Sequence, residues 1–306
     1  MKNRIVFLCA MAIALMTLQS VAAFADDDES DHKQSAPLDA DIHWAKDHAP
    51  GHAARPASAS PNLLWHGGNI MSSVQATAIF WGPSWGNINF RRDKMTGIDT
   101  FYGGLRFSSY AGSADEYSDA GGLVTDDVRY TGSLLDLSRA PRSGSRTSPI
   151  LAEVCKLISS PVPNGYYPVY VDTPRGQAGF CAWHSAGFCG GTPVQFAFFF
   201  NLDGDPGCDP QDTSGLHSQG LAALANVSGH EISEARTDPR LNAWYDSSGA
   251  ENGDKCAWSF GTPLLTFSNN SRWKIQGNWS NNAYNAGTGY ANTSGQKGCL
   301  DGGNYR

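Results

Sequence analysis

The sequence predicts an α/β (α+β) domain, in which a mixed β-sheet surrounds a central, motif-bearing helix and disulfides staple the whole. Three observations carry this expectation. Short β-rich apolar runs alternate with stretches of helical periodicity. One helix-forming stretch, Gly220 to Thr237, has apolar residues on more than one face, as a largely buried helix does. Six cysteines remain after an export leader, and an even number in an exported chain argues for three disulfides.

The leader comes first. Lys2 and Arg4 precede an apolar run from Ile5 to Leu18, and small residues end in Ala23-Phe24-Ala25. A basic start, a short apolar core and an A-x-A site describe a signal peptide over residues 1–25, not a membrane anchor. No later stretch approaches the roughly 20 apolar residues of a spanning helix. The expected product is secreted, extracellular or periplasmic, with no membrane span once the leader is cleaved. The formal charge is −7, and loss of Lys2 and Arg4 takes it to about −9. That balance speaks against nucleic acid as a partner.

Residues 26–61 are acidic at first and then rich in Ala, Pro, Ser and His. No apolar period is sustained, so the segment reads as a disordered linker or pro-segment in which His32, His43, His48 and His52 are solvated, with a metal-collecting tract as the alternative. The domain proper is expected over residues 62–306. Val74 to Trp81 is β-branched and aromatic, hence a buried strand, stopped by Gly82-Pro83. Arg92 to Leu105 has helical spacing; Leu123 to Tyr130 reads as a strand after Gly121-Gly122. Ser148-Pro149 opens a helix through about Ser159. Tyr167 to Asp172, Gly179 to His184 and Val194 to Leu202 read as strands, the last central because it is almost continuously apolar. The helix from Gly220 stops at Asp238-Pro239, since the residue before proline avoids the α region. Leu264 to Phe267 and Trp273 to Trp279 read as hairpin strands ahead of a Gly/Asn/Ser tail.

Cys155, Cys181, Cys189, Cys208, Cys256 and Cys299 include no C-x-x-C pair, which disfavours a cysteine zinc site. Sequence does not fix their pairing. Cys256–Cys299 is the expected bridge, tying an acidic loop to the C-terminal end, with the other four pairing among themselves.

The chemistry concentrates in Gly220 to Trp258. His230 and Glu234 are four apart and share a helix face; Glu231 lies beside them. The pattern is H-E-x-x-H with Glu in place of the second His. A hydrolytic metal site needs two or three protein ligands, an open position for water and a base. His230 and Glu234 fit the ligand roles and Glu231 the catalytic base. The third ligand is expected from Glu251, then Asp254, Asp238 or His184. Zinc leads on the helix pattern, with calcium or manganese competing because carboxylates make the donor set hard. A buried structural histidine with solvated glutamates is the plainer alternative. The order of strands before an H-E helix resembles zincin-like domains, an analogy of fold only.

Other motifs are weaker. Ser228-Gly229-His230 lacks the strand-to-helix nucleophile elbow of serine hydrolases. Asp203, Asp205 and Asp209 lack the closing Glu of a calcium loop and read as a turn. The tryptophans read mainly as core, although a glycan-stacking platform could be among them.

The sequence resembles the EXORDIUM, or phosphate-induced, proteins of plants and their secreted bacterial relatives. LLWHGGNIMSSVQATAIFWG resembles the family's early segment, and FCAWHSAG its Phe-Cys segment ending in His. VSGHEISEARTDPRLNAWYDSSGAENGDKCAW resembles its most specific motif. WSNNA and the final Gly298-Cys299 also look familial. The resemblance is widest over residues 62–258. It implies an extracellular or cell-wall protein and brings no established catalytic activity. Two functions therefore stand: a metal-dependent, peptidase-like hydrolase acting on a peptide or cell-wall substrate, and a non-catalytic extracellular binding or signalling protein.

Overall fold

The structure is a computed structural model that describes residues 36–46, 48 and 60–306. The expected signal peptide and most of the expected linker lie outside the described residues.

Six strands form one mixed sheet: β1 (Asp41–Trp44), β2 (Val74–Trp81), β3 (Val128–Asp136), β4 (Gly165–Pro174), β5 (Phe180–Cys189) and β6 (Thr192–Asn201). Their spatial order is β1-β5-β6-β4-β2-β3. The β3-β2-β4-β6 half is parallel, and β6-β5-β1 is antiparallel. The expected strand at Leu123 to Tyr130 is displaced: Gly122–Leu123 makes only a short ribbon with Ser118–Asp119, and the long strand runs Val128–Asp136. Pairing along the whole of β2 carries it past Tyr130, which local sequence does not reveal.

Successive residues of a strand face opposite sides, and both sides are covered. On β5, the Trp183 indole donates to the Gly144 carbonyl and stacks on Phe198, while His184 points to the other face. That other face carries the helices α1 (Lys94–Leu105) and α3 (Gln219–Thr237); α2 (Ser148–Leu157) packs against β4, β5 and β6. Coverage of both faces explains why β6 reads as an unbroken apolar run.

Helix α3 begins at Ser218, whose hydroxyl accepts from the Leu221 N–H while its own donor groups engage Asp93. It ends at Asp238, ahead of Pro239, as the sequence predicts. Every residue from Gly220 to Thr237 is buried. Gly229 allows the close approach of α3 to Tyr110, because a Cβ there would stand 2.8 Å from the tyrosine oxygen.

The three disulfides are Cys155–Cys189, Cys181–Cys208 and Cys256–Cys299. They fit a protein of an oxidising compartment. Among the described residues, no helix is long and apolar enough to cross a membrane. The C-terminal stretch is more ordered than its composition suggests. Asn278–Trp279 pairs with Lys297–Leu300, not with the Leu265–Thr266 hairpin, and Cys299 anchors the arrangement.

One expectation needs correcting. The segment read as a solvated linker before residue 62 supplies β1, whose Ile42 and His43 are buried. Composition does not sustain a core over residues 26–61, but four residues added to a preformed edge need none of their own.

Candidate metal centre

Helix spacing places His230 and Glu234 on one face of α3, and the loop after the helix folds back over them. His230 Nε2 stands 2.9 Å from Glu234 Oε2. Neither atom has a hydrogen-bond partner, because the pair is close but misaligned. From the sheet, His184 Nε2 comes within 3.8 Å of Glu234 Oε2 and 3.5 Å of Glu251 Oε1. Asp41 of β1 joins them: Asp41, His184, Glu234 and Glu251 each offer a ligand atom, and all four atoms lie within 4.8 Å of one another. His230, Glu231 and Glu234 make a second such group, sharing Glu234.

The 2.9 and 3.5 Å separations are near those of donors around one cation, and the 3.8 Å separation is wider. Ligands about 2.1 Å from an ion stand about 3.0–3.4 Å apart at right or tetrahedral angles. The remaining chemistry agrees. His184 lacks a hydrogen-bond partner on either nitrogen, Glu231 on either oxygen, and Glu251 on Oε2. Buried polar atoms are ordinarily bonded, so a concentration of orphans at one point is compatible with a ligand there. Among the described residues, the ion-pair partners of Glu234, Glu251 and Asp254 within 4 Å are all histidines. Glu234 and Glu251 are thus buried carboxylates whose ion-pair partners are histidines, a setting compatible with a metal ion, whereas the part-exposed Asp254 also lies in the field of Lys255.

Electrostatics follow from this crowding. Burial, then repulsion from Asp41 and Asp254, pushes the Glu231 carboxyl well above its usual range. Burial also raises Glu234 and Glu251, with neighbouring carboxylates adding to the effect. Burial lowers the histidines: His43 to about 3, His184 to about 4, and His230 well below its usual value. The imidazoles are therefore neutral at physiological pH, the form that ligates metals.

The loop that closes the site is held by backbone contacts. The Asp254 N–H donates to Glu234 Oε1 at 2.8 Å, and the Glu251 N–H donates to Asp254 Oδ2 at 3.2 Å. Gly253 is needed between them, since a Cβ there would lie 2.9 Å from both Glu234 Oε1 and His230 Nδ1. Behind His230, the Gln276 amide nitrogen stands 2.9 Å from Nδ1 and donates to the Gly253 carbonyl at 2.8 Å. Gln276 Oε1 accepts from the Trp258 N–H, so three contacts fix the carboxamide.

The expected residues have distinct placements. His230, Glu231, Glu234 and Glu251 converge. Asp254 lies at the rim, its Oδ1 3.8 Å from His230 Nε2 and its side chain 20% exposed. Asp238 belongs to neither ligand group; its Oδ1 accepts the Asn242 and Ala243 N–H groups at the helix end. His184, ranked last among the third-ligand candidates, sits in the four-residue group. Sequence does not single out Asp41 or Gln276, and it offers His43 only within a tract read as solvated or metal-collecting; the alternation Asp41-Ile42-His43-Trp44 is the signal that marks Asp41 and His43 as part of a strand. Asp203 and Asp205, in the stretch weighed as a calcium loop, pair instead with Lys94 and Arg175. Trp81, Trp85, Trp183, Trp273 and Trp279 are core residues, whereas Trp65 is half exposed.

No family model, curated protein or solved structure matches the chain. Its chemistry has to be read from the site itself.

Proposed function

We propose that the chain is a secreted, metal-dependent hydrolase of zincin-like character acting on peptide or similar amide bonds, and that its EXORDIUM resemblance reflects common descent. The observation that carries the reading is that His184, His230, Glu234 and Glu251 are linked through Glu234: His184 and Glu251 share one ligand group with it, His230 shares a second, and the His184 and His230 Nε2 atoms and Glu234 Oε2 are buried without hydrogen-bond partners. These four would hold the ion, with zinc the first choice for a two-imidazole, two-carboxylate set and manganese or calcium its competitors. A divalent cation in such a setting supplies Lewis acidity and a water acidic enough to deprotonate near neutral pH.

The chain's own residues do the proton work. Glu231 is buried, has both oxygens free of hydrogen bonds, and has a raised affinity for protons. A base of this kind takes a proton from the attacking water and returns it to the departing amine. Glu231→Gln keeps the shape and removes the base. It is expected to abolish turnover of a fluorescein-labelled casein substrate while leaving metal content unchanged; full activity in that variant sinks the mechanism.

A second reading is favoured by the depth of the site. His184, His230, Glu231 and Glu234 are fully buried, which suits a structural ion in an extracellular binding protein. Elemental analysis of the untagged protein beside a His184→Ala/Glu234→Ala variant tests for the ion. About one zinc per chain, lost in the variant, supports the hydrolase. Calcium in that ratio, with a large fall in Tm on chelation, supports the structural reading.

A further inference from the structure

Strand β1 approaches the candidate centre from outside the helix motif and ends there. It adds to the edge of the sheet antiparallel to β5, with Asp41 opposite His184 and His43 opposite Ala182. Asp41 and His43 are two apart, so both side chains face the centre. Asp41 contributes an atom to the four-residue ligand group. The His43 ring sits 3.8 Å from the His230 ring and stacks on Trp258 at 4.8 Å. Asp41 Oδ2 and both His43 nitrogens are buried without hydrogen-bond partners. Such placement is costly for a strand whose only task is to cover an edge.

A cavity of about 240 Å³ adjoins the same point, lined by Asp41, Asp238, Leu241, Tyr245, Gly249 and Glu251. Asp41 therefore stands between that cavity and His184. Beneath β1, the backbone of β5 is a sheet edge with ladder groups that pair with any extended chain laid along it.

We propose that β5 is a peptide-binding edge beside the metal centre, and that the chain's own segment Ala36–Lys46 occupies it, with Asp41 filling the coordination position a substrate needs. The proposal rests on the metal-hydrolase reading. The partner class is an extended polypeptide, because the present occupant is one: it pairs with the β5 backbone and buries Ile42 and Ala45 in the core. The protein is latent in this arrangement, and withdrawal of β1 opens both the edge and the metal.

The test uses the full chain loaded with cobalt(II), with acetohydroxamate as the probe and the visible spectrum of the cobalt as the readout. An intramolecular ligand competes at an effective concentration on the order of millimolar. Asp41→Ala is therefore expected to keep one cobalt per chain, bind acetohydroxamate about tenfold more tightly or better, and cleave fluorescein-labelled casein faster than the parent. Asp41→Asn keeps the side chain's shape and carries the same readout if the alanine variant melts early. Unchanged acetohydroxamate binding in a variant that retains cobalt overturns the latch and leaves the metal site standing. Loss of cobalt from both variants makes Asp41 an ordinary structural ligand and also overturns it. Absence of cobalt binding in the parent chain ends the metal-hydrolase reading and the latch together.

Discussion

Asp41 and His184 face each other across two antiparallel strands, and their side chains meet Glu234 and Glu251 at one point. One residue comes from a segment with no core-forming pattern, the other from a β-strand, and the carboxylates from a helix and a loop. The candidate centre is thus a junction of four chain segments, and its properties depend on how each is held.

Gln276 tests the role of His230. A cation on Nε2 leaves the hydrogen on Nδ1, which then requires an acceptor. The Gln276 amide as placed presents its nitrogen to Nδ1, and its bonds to Gly253 and Trp258 hold it so, which opposes a cation on Nε2 unless the carboxamide turns and gives up both. Gln276→Glu supplies an acceptor and is expected to tighten zinc binding by about tenfold, the scale of second-shell effects on metal sites. Competition with a chromogenic chelator measures it, and no change would argue that His230 is not a ligand.

Gly253 tests how tightly the loop is fitted. A methyl group there meets Glu234 and His230 at 2.9 Å, closer than real Cβ contacts. Gly253→Ala is expected to weaken metal binding by at least about tenfold, since roughly 1.4 kcal/mol of displacement suffices. Equilibrium dialysis against zinc checks it. Unaltered affinity would mean that the loop shifts without moving the ligands.

Asp238 gives a pH signature distinct from the candidate metal ligands. Burial raises its carboxyl to about 6, above the ordinary aspartate value of about 3.8. A carboxyl raised on folding binds its proton better in the folded state. Its contribution to stability is present below about pH 4 and is lost as pH rises through about 6. Asp238→Asn keeps an acceptor for the Asn242 and Ala243 N–H groups and cannot ionise. The variant is expected to gain stability relative to the parent between pH 4 and 7, by a few kcal/mol at most. Paired urea titrations across that range check it; a constant difference would rule the titration out.

Lys94 separates fold from site. Its ammonium is buried, pairs with Asp203, donates to Asn201 Oδ1 at 3.1 Å and lies 3.9 Å from the Phe90 ring centre. Lys94→Ala removes that cation and is expected to destabilise the chain by about 1–2 kcal/mol, less than a fully buried pair would cost because Asp203 is 34% exposed and stays solvated. Lys94→Met, which fills the volume, should cost less. Chemical denaturation gives both values, and zinc stoichiometry should stay the same in each.

The helix motif was legible because its information is local. A four-residue spacing puts His230 and Glu234 on one face wherever the helix lies, and Asp238-Pro239 ends it. The sequence predicts the Cys256–Cys299 bridge and pairing among the other four cysteines, and both are present; which of the four pair is not legible, because sequence holds no distances. His184 was visible as a residue but not as a partner, since only the register of β5 against α3 brings it to Glu234. Gln276 was hidden in a stretch read as a hairpin strand.

By itself the sequence determined the elements whose patterns are periodic: the apolar strands, the buried helix, the H-E-x-x-E face and the acidic Glu251–Asp254 loop. Tertiary structure alone decided which side chains share a point. Strand β1 shows why. Four residues carry too little apolar surface to specify a strand alone, but the open edge of β5 supplies hydrogen-bond partners and a buried face. Asp41 therefore becomes part of the centre through pairing that no local pattern encodes.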